Sequence, residues 1–261
     1  GELDYLSFGI KENRYSEDGT MISLGEIDMR DMEIENSGDF ILHLGGSETS
    51  KNYLPMPKSA NMLIVRQTYK NRIKQTHAKI NIKNLDSKPI PEILTTEKLE
   101  NQLNQTLAFV SGTASTFLKW VNEFKLNHKN SLPLGDQSFF QAAGGDPKIC
   151  YLHGYYEFND DECLQIITDI PECEYWNFQL ENYWMESLDY RHYPIHINDS
   201  SATLEDDNSI IITISHAPIN IKNNLITEGR NNGAMLLRWI GSTNNPIPEV
   251  KIKKIKSIEI N

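Results

Sequence analysis

Cysteine is scarce: Cys150, Cys163 and Cys173 are the three in 261 residues, and none of their spacings is that of a zinc site. An odd count leaves one thiol over in any disulfide scheme, which argues against a disulfide-stapled secreted scaffold. No run approaches the 18 apolar residues of a spanning helix, so no membrane partner is expected. The first residues lack the basic-then-apolar pattern of a secretory signal. The chain starts at Gly1 rather than Met, so a leader removed before it is the one route to secretion; otherwise the cytoplasm is expected. Cations are in deficit, with Lys+Arg 25 against Asp+Glu 36 and a net charge of −11. That balance excludes nucleic acid and anionic membranes as main partners. No Gly-x-Ser-x-Gly elbow, P-loop or dinucleotide fingerprint occurs, and no cofactor is expected. What remains is ordinary globular material: 39% hydrophobic residues in a chain long enough to bury a sizeable core.

The sequence repeats itself at an offset near 170. Tyr5-Leu-Ser-Phe8-Gly-Ile10 answers Tyr175-Trp-Asn-Phe178-Gln-Leu180. Glu35 and Glu205 each lead through a turn into an alternating apolar stretch, Phe40/Leu42/Leu44 and Ile210/Ile212/Ile214. Asn52 and Leu54 answer Asn223 and Leu225, and Arg66 answers Arg238. Apolar residues at every second position, punctuated by Gly, Asn, Asp and Pro, read as strands. Asp18-Gly19 is a hairpin signal with positive φ expected at both residues. Residues 149–170 read as a further hairpin turning at 159–161. Its counterpart in the first copy would lie before residue 1, so the first copy reads as truncated at its start.

Between the copies the period changes. Thr95 or Thr96 can cap a helix over 95–126, along which Leu99, Leu103, Leu107, Val110, Ala114, Phe117, Val121 and Phe124 recur in steps of four and three. Leu103, Leu107, Val110 and Phe117 are expected to be buried, packed on a β unit. Residues 127–148 read as loop. The chain is therefore expected to be mainly β, with two duplicated β-sandwich or jelly-roll-like domains joined by a long α-helical connection. The divisions are 1–88, with Pro89 and Pro91 ending the first unit, then 89–148 and 149–261.

Residues 175–191, the strand ending Ser215-His216, the Asn223/Leu225/Thr227 loop, Gly229, Gly233 and Arg238-Trp239 resemble the bacterial family called domain of unknown function 1214. The family's Asn-Trp-Leu-Asp-Thr reads Asn223-Asn224-Leu225-Ile226-Thr227 here, and its Pro-Gly turn is replaced around Pro218–Asn220. The resemblance implies β-sandwich, jelly-roll-like domains and carries no activity with it.

Residues shared by both copies are expected to serve the fold; Arg238, with five N–H donors, also suits an anion. Trp176, Trp184, Asp189, Arg191, His192, His196, His216 and Trp239 are special to the second copy and are better functional candidates. Trp176 and Trp184 have equal parity and would share a face of one strand, as core or as a ligand platform. Asp189 and Arg191 form either an ion pair or an anion site. His192 and His196 lie about 13 Å apart on an extended strand, too far for one metal ion, so no metal site is expected. His216, at a strand end, is the candidate acid or base with Asp189. The leading expectation is a small-organic-molecule binding protein, its ligand met by Trp176, Trp184, Arg191, His216, Arg238 and Trp239. The alternatives are an enzyme acting on such a molecule, or an assembly protein without a small ligand; an oligomer is compatible with each.

Overall fold

The computed structural model describes residues 2–48, 50–86 and 93–258. Pro89, Pro91 and the expected boundary at 88/89 lie outside the described residues. The protein is mainly β, with several sheets and one long helix. The chain forms two compact units; one runs to Thr113 and takes in Ala142–Gly144, and the other holds Ala114–Gln141 and the chain from Gly145 onward.

In the first unit, β1 (Tyr5–Arg14), β2 (Thr20–Asp28) and β5 (Met62–Thr68) form an antiparallel sheet in the order β2-β1-β5. The β1–β2 connection spans 15–19. Gly19 alone has the expected positive φ, at 78°, because Asp18 instead turns its carboxylate onto the Thr20 N–H at 3.0 Å. Two short strands, β3 (His43–Leu44) and β4 (Tyr53–Leu54), pair in parallel. Leu6, Phe8 and Ile10 alternate inward from β1 and meet Met32 and Leu54; Phe40, Leu42, Leu44, Leu63 and Val65 pack against them only partly buried.

In the second unit, β6 (Ile149–Glu157), β12 (Asn232–Ile240), β8 (Tyr175–Leu180) and β9 (His196–Asn198) make one sheet in that order. A second sheet runs β11 (Asn224–Ile226), β10 (Ser209–Ser215), β7 (Glu162–Asp169), β13 (Glu249–Lys254). Both contribute to one core: Leu152, Tyr156, Phe178, Leu180, Met235, Leu237 and Trp239 from the first, Leu164, Ile166, Ile210, Ile212 and Ile214 from the second. The hairpin expected at 149–170 does not form: both strands are present, but β6 pairs with β12 and β7 with β10 and β13, so the turn at 159–161 carries the chain from one sheet to the other.

Pairing in the two units follows the sequence matches. Ser7 lies opposite Arg66 and Asp28, and Asn177 opposite Arg238 and Asn198. Leu44 pairs with Leu54 in parallel, as Ile214 pairs with Leu225. The Asn52 side chain clamps both backbone groups of Glu33 at 2.7 Å, and Asn223 does the same to Thr203 at 2.9 and 2.7 Å.

α1 (Thr96–Asn127) is one unbroken helix, and Thr95 Oγ1 caps it by accepting the Lys98 N–H at 3.2 Å. Its burial corrects the sequence expectation. Leu103, Leu107 and Val110 are 61%, 68% and 57% exposed, Phe117 is half-buried, and the buried residues are Trp120, Val121 and Phe124. Gly112 explains the difference. Its bare Cα lies against the Tyr15 carbonyl and the Ser16 Cα. At about 100° per residue, Leu103, Leu107 and Val110 fall roughly 140–180° around the helix from that contact. The expected loop at 127–148 also holds a short helix, α2 (Gln137–Ala142). Asp136 starts it by accepting the Ser138 N–H at 2.9 Å.

In an unconstrained helix, Gly→Ala gains up to about 1 kcal/mol. Here a Cβ on Gly112 would collide with the Tyr15 backbone, so Gly112→Ala is expected to destabilise the folded chain by more than about 1 kcal/mol in chemical denaturation. A gain in stability would contradict the close approach.

Candidate functional site

Strands β8 and β12 alternate about a single plane. Trp176, Phe178, Leu180, Met235, Leu237 and Trp239 face the core, which sends Asn177, Gln179, Glu181 and Arg238 to the opposite face. Arg238 Nη1 donates two long hydrogen bonds, to Asn177 Oδ1 at 3.4 Å and Gln179 Oε1 at 3.5 Å. Gln179 Nε2 donates to Glu181 Oε1 at 2.7 Å. Glu181 is buried and its Oε2 accepts no hydrogen bond. Burial pushes this carboxyl above its ordinary range, against the opposing pull of Arg238 and Gln179.

His153, on the neighbouring β6, adds a second buried polar group. Its ring stacks on Phe124 with centroids 4.9 Å apart and lies 4.7 Å from Phe140, and its Nδ1 is without a hydrogen bond. Burial first, then the charges of Arg238 and His128, lower its pKa to about 3. The imidazole is therefore neutral at physiological pH, and Arg238 is the cation of this face.

In the first unit, Arg66, the sequence match of Arg238, has charged neighbours. Glu26 lies opposite Gly9 and forms an ion pair with the buried Lys11. Its other oxygen is 3.8 Å from Arg66, whose Nη2 also donates to the Gly144 carbonyl at 2.8 Å. Pairing register puts the exposed His196 where Glu26 stands and Glu181 where Lys11 stands. So Arg66 has a carboxylate across the intervening strand, and Arg238 an imidazole.

The other sequence candidates serve different ends. Trp176 and Trp239 are both core residues, 6.1 Å apart, and do not form a platform. Trp184 is 54% exposed in the turn beyond β8, so it does not share their face; the strand has already ended at Leu180. Arg191 pairs with Asp189 through Nε and Nη2, both at 2.9 Å, on the surface, and that pairing lowers the Asp189 pKa to about 2. His192 is exposed just before Pro194. His216 stacks on Phe158 at 4.3 Å, with Nδ1 2.8 Å from Thr227 Oγ1 and Nε2 3.2 Å from the Phe158 carbonyl. Both its ring nitrogens are occupied, so it ties Thr227 to Phe158, the residue that follows β6. Asp189 accepts no proton from it; its backbone N–H instead donates to Glu228 Oε1 at 2.5 Å.

A cavity of about 180 Å³ opens elsewhere in this unit, lined by Gln137, Gln141, Lys148, Cys150, Trp239 and Asn245 among others. It is smaller than the usual small-molecule pocket and touches none of Asp189, Arg191 or His216. Among the described residues, no group of three His, Cys, Asp or Glu side chains could hold a metal ion, and no helix is long and apolar enough to cross a membrane.

Sequence reasoning missed Gln179, Glu181 and His153. The first two carried a usable signal, since they replace Gly9 and Lys11 at matched positions. His153 carried none, because its burial depends on Phe124 and Phe140, which come from distant parts of the chain. Folding holds its imidazole neutral. The unfolded chain takes up a proton near pH 6.5, which the folded chain refuses down to about pH 3. This contribution is complete above pH 6.5 and is lost as pH falls through that window. His153→Gln is expected to remove about 1–2 kcal/mol of the stability lost between pH 7 and pH 5, measured by chemical denaturation. An unchanged pH slope would contradict the neutral imidazole.

The fold has a close counterpart among solved structures. The crystal structure of an uncharacterised protein from Burkholderia cenocepacia matches with a TM-score of 0.94 at 34% identity, over 98% of this chain and 71% of that one. The VPA0106 protein from Vibrio parahaemolyticus matches at a TM-score of 0.46 and 11% identity, over 96% of this chain and 86% of that one. No family model and no curated protein matches the sequence. At this identity and coverage, the chain belongs to the same family as the Burkholderia protein.

Proposed function

We propose that the protein binds a small organic molecule bearing a carboxylate, on the outer face of the β8–β12 pair, with Arg238 as its anchor. The observation that carries this reading is the exchange between the units. Arg66 faces the Glu26 carboxylate, whereas Arg238 has His196 at the matched position and two hydrogen bonds of 3.4 and 3.5 Å. A guanidinium offers five donors in a planar fork that fits a carboxylate. Asn177 and Gln179 supply neutral amides beside it. Glu181, whose carboxyl burial pushes up against the opposing pull of Arg238 and Gln179, closes this polar group through its 2.7 Å hydrogen bond from Gln179.

Two structural readings accompany this one. The units are two copies of one β-sandwich, jelly-roll-like domain, a reading supported by their shared pairing registers. The chain is also a member of the domain of unknown function 1214 family, supported by the residues from Tyr175 to Trp239. The enzyme reading has less support, because both nitrogens of His216 are engaged. Assembly has one specific observation in its favour, the exposed stripe of Leu99, Leu103, Leu107 and Val110 on α1.

Titration calorimetry with a panel of aliphatic and aromatic monocarboxylates tests the binding reading. At least one is expected to bind saturably, with affinity at least tenfold weaker in Arg238→Ala, equivalent to about 1.4 kcal/mol, and unchanged in Arg191→Ala. No saturable binding, or equal binding to Arg238→Ala, would contradict it.

A further inference from the structure

On the polar face of the second unit one amide stands between a cation and a carboxyl group. Arg238 Nη1 donates to Gln179 Oε1 at 3.5 Å, and Gln179 Nε2 donates to Glu181 Oε1 at 2.7 Å. The two ends of the amide match two charges. Its carbonyl oxygen accepts from the guanidinium, and its amino group donates to an ionised carboxylate. Arg238 and Glu181 thus compensate one another through Gln179.

Glu181 has little else to hold its charge. It is 3% exposed, and its Oε2 accepts no hydrogen bond. Arg238, from β12, is the cation that pulls on it. Glu181 also bears on Tyr156 of β6, whose buried hydroxyl has no hydrogen bond and whose pKa burial raises. His153, also on β6, is neutral at physiological pH and does not substitute for Arg238. On the β9 side, His196 lies opposite Gln179. Lys125 of α1 sits over the rings of Tyr155 and Tyr183, at 5.8 and 5.9 Å. On the flanking turns, Arg230 is paired with Glu228, and Glu186 accepts from Asn182.

We propose that carboxylate binding at Arg238 is coupled to proton uptake by Glu181, with Gln179 as the relay between them. The coupling presupposes the carboxylate reading of Arg238. A bound carboxylate engages the guanidinium, and the face then holds two anions against one cation. The bound carboxylate keeps the forked contact with Arg238. Glu181, buried and short of donors, is the anion that gives up its charge. A proton from water converts its carboxylate to the acid. The Gln179 amide turns over about its terminal torsion, which is broad and two-fold. Its Oε1 then accepts the Glu181 O–H, and its Nε2 donates to the bound carboxylate. Gln179 keeps a partner at each end, with donor and acceptor exchanged. Burial already pushes the Glu181 carboxyl upward against the pull of Arg238, and weakening that pull acts in the same direction.

The test is titration calorimetry of the full chain with benzoate and with hexanoate, in two buffers of different ionisation enthalpy, between about pH 5 and pH 8. The binding enthalpy is expected to differ between the buffers in the sense of proton uptake, reaching about one proton per bound carboxylate. Affinity is expected to weaken with rising pH, by up to about tenfold per pH unit across the window of uptake. Glu181→Gln, whose amide stands in for the protonated acid, is expected to bind without uptake, as tightly as the native chain does at the acid end. Without any carboxylate added, the Glu181 side chain is followed by NMR in protein labelled with carbon-13 glutamate, its signal identified by its loss in Glu181→Gln. Its titration midpoint is expected to rise by at least about one pH unit in Arg238→Gln. Saturable binding without uptake would overturn the coupling and leave the carboxylate reading standing. Uptake that persists in Glu181→Gln would do the same, by assigning the proton to another group such as His196. A Glu181 midpoint unmoved in Arg238→Gln would also overturn the coupling alone. No saturable binding of either probe would overturn both.

Discussion

The antiparallel pairing of β8 with β12 is the constraint on which the second unit depends. It fixes which side of the sheet each residue serves. Arg238 and Trp239 are sequence neighbours, yet one lies on the outer polar face and the other is fully buried in the core. A slip of one residue would exchange the two faces, driving Arg238 into the core and Trp239 out. The register is held by Leu237 against Phe178 and by Trp239 against Trp176 on the buried side. The site geometry is thus a by-product of core packing. The same aromatic and aliphatic residues that stabilise the unit also hold Arg238 within reach of Asn177 and Gln179.

The corresponding polar face of the first unit is filled differently. Ser7 and Arg66 are opposite one another, as Asn177 and Arg238 are, but Lys11 and Glu26 fill that face with an internal ion pair. An internal pair on a buried lysine contributes little net stability once desolvation is counted, yet losing either partner strands a charge. That face is closed chemistry. Among the described residues β5 is paired only by β1, and the core residues of this unit are less buried than those of the second. The two units therefore present different kinds of surface.

Much of the architecture was legible in the sequence, because period-two alternation and turn residues are local. The two strands within 149–170, the strand from Ser209 to Ser215 and the helix from Thr96 were all readable in this way, the last from its Thr95 cap; that the first two would join different sheets rather than pair as a hairpin was not, because it depends on partners far along the chain. The burial of α1 was not. Leu103, Leu107 and Val110 repeat as a buried face should, but one glycine, Gly112, sets the contact on the other side. α2 escaped notice because a six-residue helix has too few turns to show a period, although Asp136 was its cap. Of the candidate site residues, Arg238 lies on the polar face, while Trp176 and Trp239 went to the core. His216 looked reactive because it ends a strand; its partners Thr227 and Phe158 could not be inferred from spacing. Comparing matched positions for a change of charge, as between Lys11 and Glu181, would have reached the polar face directly.

The contrast between β12, paired on both sides, and β5, paired among the described residues only by β1, is most directly measured by amide exchange in the protein, resolved by NMR. The amides of β12 are expected to exchange slowly throughout, since β6 and β8 take both of its edges. In β5, exchange is expected to alternate, slow where the N–H points to β1 and fast where it points to the open edge. Uniform protection along β5, equal to that of β12, would contradict the account.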